Sequence, residues 1–301
     1  MSQHSSEFGT KRAMNQILVS VVLVTYNRPP VLKDTISDLL SQSHQNIELI
    51  ICDDASSDSM TKAICEEVES NDSRVRYVRQ VSNVGMPANL NSGIKIARGK
   101  YLAITHDADR YDTDLIESWL GAMEKCEKSL FVFNHYAVVN NFGDVTHTHT
   151  EDLQACNPGA VILQEFYRRW HFDSPVWGTV MVLREAVVEM GLFDVQYGFY
   201  ADVDMWLRLS ELGNVAYVNR PIIKLADRVT WPNNFSIESS TSRKIVRLMF
   251  LNSRIRYFRK RPVRQKFELI RHFIFCYLDD AYHLILGVRR SIIRLVLVKK
   301  S

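Results

Sequence analysis

Short runs of consecutive apolar residues alternate with amphipathic segments along the first half of the chain. The runs are rich in β-branched residues, which is typical of strands buried on both faces, and they cover residues 17–25, 47–52 and 101–105. Helical spacing of apolar residues predicts helices over residues 31–42, up to about residue 70 and over 85–97, with a short strand at 75–79. This alternation predicts right-handed crossovers and a mostly parallel sheet flanked by helices.

The second half of the sequence is less regular. Its patterns predict strands over residues 130–139, 179–183 and 215–218, and helices over residues 162–170 and 200–212. From about residue 239 the pattern changes to long amphipathic helices rich in Lys and Arg. We therefore expect a disordered N-terminal segment (1–16), an α/β domain (17–238) and a basic amphipathic helical extension (239–301).

Polar residues follow three of the predicted strands at the point where each strand ends. They are Thr25-Tyr26-Asn27-Arg28, Asp53-Asp54 and Asp107-Ala108-Asp109. Ligands of open parallel sheets bind beyond the carboxyl ends of the strands, so residues far apart in sequence should meet at one rim. The shared position predicts a binding site there.

The aspartates at these strand ends suit a metal and a nucleoside. Asp107 and Asp109 can offer oxygens to Mg²⁺ or Mn²⁺, which proteins usually hold with one or two carboxylates plus substrate phosphates. A helix N-cap or a solvated loop is the alternative for an isolated pair of this kind. Asp53 and Asp54 can accept the N3–H of a uracil or thymine ring or bind a ribose hydroxyl, whereas Asp58 suits a helix cap.

The composition is that of a soluble globular protein, and the sequence patterns exclude several classes of protein. Hydrophobic residues make up 46% and charged residues 24%, and no apolar run reaches the roughly 18–20 residues of a membrane-spanning helix. The sequence lacks the glycine-rich and nucleophile motifs of dinucleotide-binding, P-loop and serine-hydrolase proteins. No CxxC pair occurs, so we expect neither a disulfide framework nor a zinc site, and a reducing, cytoplasmic compartment. The five cysteines are Cys52, Cys65, Cys126, Cys156 and Cys276.

The net charge of +3 is the sum of two regions of opposite charge. Residues 243–301 carry 16 Lys or Arg and three acidic residues, a net charge of +13, whereas residues 1–242 carry 21 and 31, a net charge of −10. Basic amphipathic helices can lie on an anionic membrane, so we expect a peripheral position on the inner face of the plasma membrane. Packing on the acidic body and contact within a homo-oligomer are the alternatives. The tail shows no motif that reads nucleic acid, and we expect no such partner.

Taken together, these residues resemble glycosyltransferase family 2, the inverting enzymes of the GT-A fold. The resemblance covers about residues 17–220, in the family's order. It is carried by TYNR (25–28), DDASSD (53–58), NVG (83–85), ARGKY (97–101), DAD (107–109), WGT (177–179) and YADVDMWLRL (200–209). Ala201 stands where the family has glutamate, and Ser82 where an arginine is usual.

The resemblance implies a nucleotide-diphospho-sugar donor, usually UDP-linked, and a divalent metal, Mn²⁺ or Mg²⁺. Thr25, Asp53 and Asp54 would face the nucleoside, Asp107 would lie near the ribose or the metal, and Asp109 would be the firmer metal ligand. The other expected donor-binding residues are Tyr26, Asn27, Arg28, Asn83, Gly85 and Arg98. The expected acceptor residues are Trp177, Gly178 and Tyr200. The family's catalytic base falls on Asp202.

Helix geometry separates Asp202 from the similar Asp204. Asp202 shares a face with Trp206 and Leu209, whereas Asp204 is four residues from Arg208 and suits a structural ion pair. In the first turn the helix dipole favours the ionised form of Asp202, which is the form that a general base requires. Capping of the helix is the alternative role.

The resemblance implies an inverting, metal-dependent hexosyl- or N-acetylhexosaminyl-transferase. Its acceptor would be a saccharide or lipid-linked saccharide in cell-surface polysaccharide synthesis. A non-catalytic nucleotide-sugar-binding or scaffold protein, recruited to a membrane or a complex by its basic tail, is the alternative. Trp170, Trp177 and Tyr200 could form an aromatic platform for a sugar ring, and a place in the core is equally consistent with them.

Overall fold

The computed structural model describes residues 14–140, 142–169, 174–226 and 240–259. The chain divides into two compact units, Met1–Phe250 and Leu251–Ser301. Trp170, the predicted boundary at 238/239 and most of the predicted basic extension lie outside the described residues. Membrane contact and oligomer formation by that extension therefore stay predictions. Within the described part of the chain, no helix combines the length and apolar character needed to cross a membrane.

Ten strands of the described residues form one sheet, with the order β3-β2-β1-β4-β9-β6-β10-β5. The strands are β1 (Val19–Thr25), β2 (Ile47–Asp53), β3 (Val75–Arg79), β4 (Tyr101–His106), β5 (Asp109–Tyr111), β6 (Ser129–Val139), β7 (Val145–His149), β8 (Cys156–Pro158), β9 (Val180–Leu183) and β10 (Asn214–Ala226). β7 pairs with β6, and β8 pairs with β10. The strands β1 to β4 pair with one another in parallel orientation, as predicted.

Helices cover the sheet and connect these strands. They are α1 (Pro29–Leu40), α2 (Ser59–Asn71), α3 (Met86–Ile96), α4 (Leu115–Lys125), α5 (Gly159–Arg169), α6 (Arg184–Glu189), a 3-10 helix (Val195–Tyr200), α7 (Ala201–Ser210) and α8 (Ser240–Arg259). Five of the predicted helices correspond to α1, α2, α3, α5 and α7, whereas α4 and α6 were not predicted. The fold is thus a mixed α/β sheet flanked by helices, which confirms the predicted fold class.

Antiparallel strands complete the second half of the sheet. β9 runs antiparallel to both β4 and β6, while β6 and β10 are parallel to each other. Every residue of β1 and β2 is buried, as expected for strands covered on both faces. The register places Thr25 beside Asp53, and Val24 beside His106. The carboxyl ends of β2, β1 and β4 therefore lie next to one another along one rim.

Cys126 and Cys156 form a disulfide, so the expectation that these cysteines stay unpaired was wrong. Cys126 follows α4 and Cys156 begins β8. β8 pairs with the start of β10, which pairs with Ser129 just after Cys126. This non-local pairing brings together two residues 30 positions apart, and sequence spacing does not show it. Cys52 and Cys65 are free and buried, but the cysteine pattern no longer supports a reducing compartment.

Candidate active site

A cavity of about 600 Å³ opens at the carboxyl ends of β1, β2 and β4. The structure brings together here many residues that the sequence singled out. They are Thr25, Tyr26, Arg28, Asp54, Asn83, Gly85, Asp107, Trp177, Gly178, Tyr200 and Asp202. Asn27, Asp53, Arg98 and Asp109, which were also predicted to belong to the site, do not line the cavity.

Asp107 joins the end of β4 to the end of β1. Its Oδ2 accepts hydrogen bonds from the Thr25 hydroxyl (2.8 Å) and from the N–H of Tyr26 (3.3 Å). Its Oδ1 lies 3.9 Å from Nε of Arg28. Burial raises the pKa of Asp107, and the Thr25 hydrogen bond and the Arg28 charge act in the opposite direction. The cavity thus has a carboxylate and a guanidinium side by side at its polar end.

Asp54 orders the segment that leads into α3. Its carboxylate accepts the N–H groups of Val84 (2.8 Å) and Gly85 (2.9 Å), and its own N–H donates to the carbonyl of Thr25 (3.0 Å). Gly85 has a φ of +85°, in the region that glycine enters without steric cost. These contacts hold the N-terminus of α3 at the cavity, beside Asn83.

Asp53 is fully buried, and its side-chain contacts stabilise the rim without reaching the cavity. Its Oδ1 accepts the N–H of Ser56 (2.8 Å), and its Oδ2 accepts the hydroxyl of Tyr77 (2.7 Å). Arg79 Nε lies 3.3 Å from the same Oδ2. The structure therefore places Asp54, rather than Asp53, at the cavity. The predicted contact of Asp53 with the nucleoside stays a prediction.

Two more residues that were predicted to bind the donor make structural contacts. Arg98 donates to Glu48 through its backbone N–H (2.7 Å) and through Nε (3.0 Å). Asn27 has a positive φ of 54°, and its Oδ1 accepts the N–H of Ser57 (2.8 Å). Asn27 thereby ties the turn after β1 to the turn after β2.

Asp109 begins β5 and is 0% exposed. The Thr179 hydroxyl donates to its Oδ2 at 3.3 Å. The Thr35 hydroxyl donates to the backbone carbonyls of Asp107 (3.1 Å) and Asp109 (3.0 Å), which fixes the turn between these aspartates. Asp109 is therefore close in sequence to a residue that lines the cavity, but its own side chain is buried and does not line it.

The groups at the cavity that could ligate a metal suit an ion that is also bound by a substrate. Among the residues that the structure describes, no group of three or more His, Cys, Asp and Glu could hold a metal alone. Asp107 offers one carboxylate at the cavity, and one or two carboxylates plus substrate phosphates are the usual ligands of Mg²⁺. Asp107 fits such a site, and the ligand role of Asp109 stays a prediction.

Asp202 lines the cavity from the first turn of α7. Burial raises its pKa from the usual value to about 6, although the N–H of Val203 donates to its Oδ1 (2.7 Å) and lowers the pKa. The expected preference for the ionised form is therefore outweighed by desolvation. A carboxylate with this pKa still accepts protons effectively near neutral pH.

Asp204 forms the predicted structural ion pair. Its Oδ2 accepts from Arg208 Nε at 2.7 Å, and both side chains are largely buried. The same guanidinium donates to the carbonyls of Met190 (2.7 Å) and Leu192 (2.9 Å). Asp58 caps α2 by accepting the N–H of Thr61 at 2.6 Å, also as predicted. The sequence thus separated these two structural aspartates correctly from those at the cavity.

Many other residues that line the cavity are aromatic or aliphatic. Trp177 packs against Tyr136 with ring centroids 5.4 Å apart. Six apolar lining residues were not predicted from the sequence: Phe166, Val176, Phe199, Val246, Met249 and Phe250. His106 was not predicted either, although its position directly before Asp107 at a strand end was an available signal. The α8 residues carried no such signal, because they are distant in sequence from every motif.

Comparisons with known proteins relate the chain to one family. The family described as "Glycosyl transferase family 2" matches residues 20–190. An uncharacterized glycosyltransferase of Rickettsia conorii is 27% identical over 75% of this chain, and the chain spans 36% of that relative's length. The Escherichia coli UDP-Glc:alpha-D-GlcNAc-diphosphoundecaprenol beta-1,3-glucosyltransferase WfaP is 34% identical over 42% of this chain and 48% of its own.

Among solved structures, S. aureus TarS in complex with UDP has a similar fold. The TM-score is 0.59 at 13% sequence identity, covering 78% of this chain and 66% of that chain. At this identity the likeness concerns the fold alone.

Proposed function

Since the chain belongs to glycosyl transferase family 2, we propose that it moves a sugar from a nucleotide-diphospho-sugar to a saccharide or lipid-linked saccharide acceptor, with inversion at the anomeric carbon. One observation carries this proposal: Asp107 and Asp202, 95 positions apart, face the same cavity. The name of the relative WfaP, which includes UDP-Glc, and the UDP complex of TarS support a UDP-linked donor.

The polar end of the cavity binds the nucleoside diphosphate in this proposal. Arg28 supplies a guanidinium that matches phosphate oxygens, and the N-terminus of α3 offers a favourable field for an anion. Asp54 and Asn83, which line the same cavity, would hydrogen-bond the nucleoside. Asp107 would hold Mn²⁺ or Mg²⁺, and such an ion when bound neutralises the charge of a departing diphosphate.

Asp202 takes the proton of the acceptor hydroxyl. The hydroxyl oxygen then forms a bond to the anomeric carbon as the bond from that carbon to the diphosphate oxygen breaks. Because attack comes from the face opposite the leaving group, the configuration inverts. The presence of Asp202 in the same cavity as Arg28 and Asp107 supports this role.

Activity should fall as the pH drops through about 6. Asp202 must be ionised to accept a proton, and burial raises its pKa to about 6, so the base is lost well above the usual range of an aspartate. We expect kcat/KM to decrease about tenfold per pH unit below that value. Initial rates between about pH 5 and pH 8, with melting curves at each pH, measure this. A rate that stays constant to about pH 4.5 in the folded protein would contradict the assignment.

A thermal-shift screen tests donor binding. UDP-, GDP- and dTDP-sugars are added to the full chain with and without Mn²⁺. We expect a UDP-sugar to raise the melting temperature, because binding to the native state alone stabilises it, and to do so more strongly with Mn²⁺. Stabilisation by none of these nucleotide sugars would count against the proposed donor class. The same screen identifies the sugar used in the experiments that follow.

A further inference from the structure

His106 lies at the cavity, and the roles proposed so far make no use of it. It is the last residue of β4, directly before Asp107, and its side chain is partly buried. Its backbone is held on both sides by one hydroxyl: the N–H of His106 donates to Oη of Tyr111 (2.9 Å), and that hydroxyl donates to the carbonyl of His106 (3.0 Å). Tyr111 is buried, so this clamp fixes where the imidazole can reach.

His106 and Asp107 reach towards opposite neighbours of β4. β4 lies between β1 and β9 in the sheet. Asp107 bonds to Thr25 at the end of β1, which belongs to the proposed donor side. The imidazole of His106 instead lies against Gly178, two residues before β9 begins. The consecutive residues His106 and Asp107 thus face different sides of the cavity.

Gly178 lies next to both His106 and Asp202. A Cβ atom at position 178 would lie 2.9 Å from Nε2 of His106 and 3.2 Å from Oδ2 of Asp202. Such distances are shorter than ordinary contacts with a carbon atom, so the absence of a side chain lets both polar atoms approach the same part of the cavity. A hydroxyl deprotonated by Asp202 is therefore also close to an imidazole nitrogen.

We propose that His106 is a second substrate-contacting residue, whose Nε2 hydrogen-bonds the acceptor sugar beside the hydroxyl that Asp202 deprotonates. This rests on the proposed glycosyl transfer and on Asp202 as its base. Recognition by an imidazole and a carboxylate together fits a polyol with adjacent hydroxyl groups. The acceptor class is accordingly a saccharide, bound through two neighbouring oxygens, with Gly178 leaving the space for it.

The test compares His106→Leu with His106→Gln in the full chain. The assay uses the UDP-sugar found in the donor screen and octyl glycosides of glucose, galactose and N-acetylglucosamine as acceptors. Because a glutamine amide can replace Nε2 in a hydrogen bond and leucine cannot, we expect kcat/KM for the acceptor to fall about tenfold in His106→Leu and to recover to within about threefold in His106→Gln. UDP affinity, measured by calorimetry, should change less than about twofold in both.

Matched variants keep the test decisive. His147→Leu removes an exposed histidine of β7 and should behave as wild type. Gly178→Ala keeps the imidazole but adds a Cβ 2.9 Å from Nε2, so that the imidazole must shift, and it should reproduce the acceptor defect of His106→Leu. Wild-type acceptor kinetics in His106→Leu, a parallel loss of UDP affinity, or failure of glutamine to restore activity would each overturn the inference. Absence of transfer by the wild-type protein would instead count against the proposed function.

Discussion

Replacing Asp202 with asparagine should abolish sugar transfer and leave nucleotide binding intact. Asparagine keeps the size of the side chain but cannot take a proton, and general base catalysis typically contributes roughly 10²–10⁴-fold to a rate. We expect kcat to fall by about that factor, with UDP affinity unchanged, because Asp202 is proposed to act on the acceptor hydroxyl and not to bind the nucleotide. Steady-state kinetics and calorimetry with UDP and Mn²⁺ measure the two quantities.

Asp204→Asn is the matched control, two residues along the same helix. Asp204 pairs with Arg208 and is buried, so its replacement should lower the free energy of unfolding while the folded protein retains turnover. Urea denaturation separates the two effects. Near-normal kcat in Asp202→Asn would remove that residue as the base, whatever the control shows.

Replacing Asp107 with alanine should cause the second large loss, in donor binding. Its carboxylate accepts from Thr25 and Tyr26 and is the candidate metal ligand at the cavity. Removal of an outer partner of a metal ligand already costs about 10–100-fold in affinity, so loss of the ligand itself should cost about 100-fold or more. Titration of UDP with and without Mn²⁺ measures this loss.

Asp58→Ala provides the control for the Asp107 variant. Asp58 caps α2 and does not line the cavity, so its loss should lower stability by about 1 kcal/mol and leave UDP affinity unchanged. If Asp107→Ala binds UDP with the same Mn²⁺ dependence as the wild type, Asp107 does not hold a metal. The donor would then have to bind through residues other than Asp107.

The sheet and its rim could be predicted because buried parallel strands leave a clear pattern. The predicted strand at 47–52 matches β2 (Ile47–Asp53), and the one at 101–105 matches β4 (Tyr101–His106). Once strand ends share a rim, Asp54 and Asp107 become neighbours without further information. Asp202 lies far along the chain from these strand ends, and it was identified by the family resemblance together with helix geometry.

Details that depend on orientation could not be predicted. Asp53 and Asp54 are adjacent, and successive side chains of an extended chain point to opposite faces, so only one of them reaches the cavity. The sequence alone does not show which of the two side chains reaches the cavity. The disulfide between Cys126 and Cys156 and the lining residues of α8 likewise depend on pairings between distant segments.

The sign of the Asp202 pKa shift also required the structure. The first-turn position predicts stabilisation of the ionised form, and the hydrogen bond from the N–H of Val203 acts in that direction. Desolvation is larger and raises the pKa to about 6. Burial of a single side chain depends on what packs around it, which a helical pattern does not report.

Release of the nucleoside diphosphate tests the central claim most directly. The full chain is incubated with Mn²⁺, the UDP-sugar that stabilises it and the octyl glycosides, and free UDP and the glycosylated product are measured over time. Glycosyl transfer predicts that UDP and product appear together in the wild type, and that neither appears with Asp202→Asn. A wild-type protein that binds the UDP-sugar but releases no UDP would contradict catalysis and favour a nucleotide-sugar-binding scaffold.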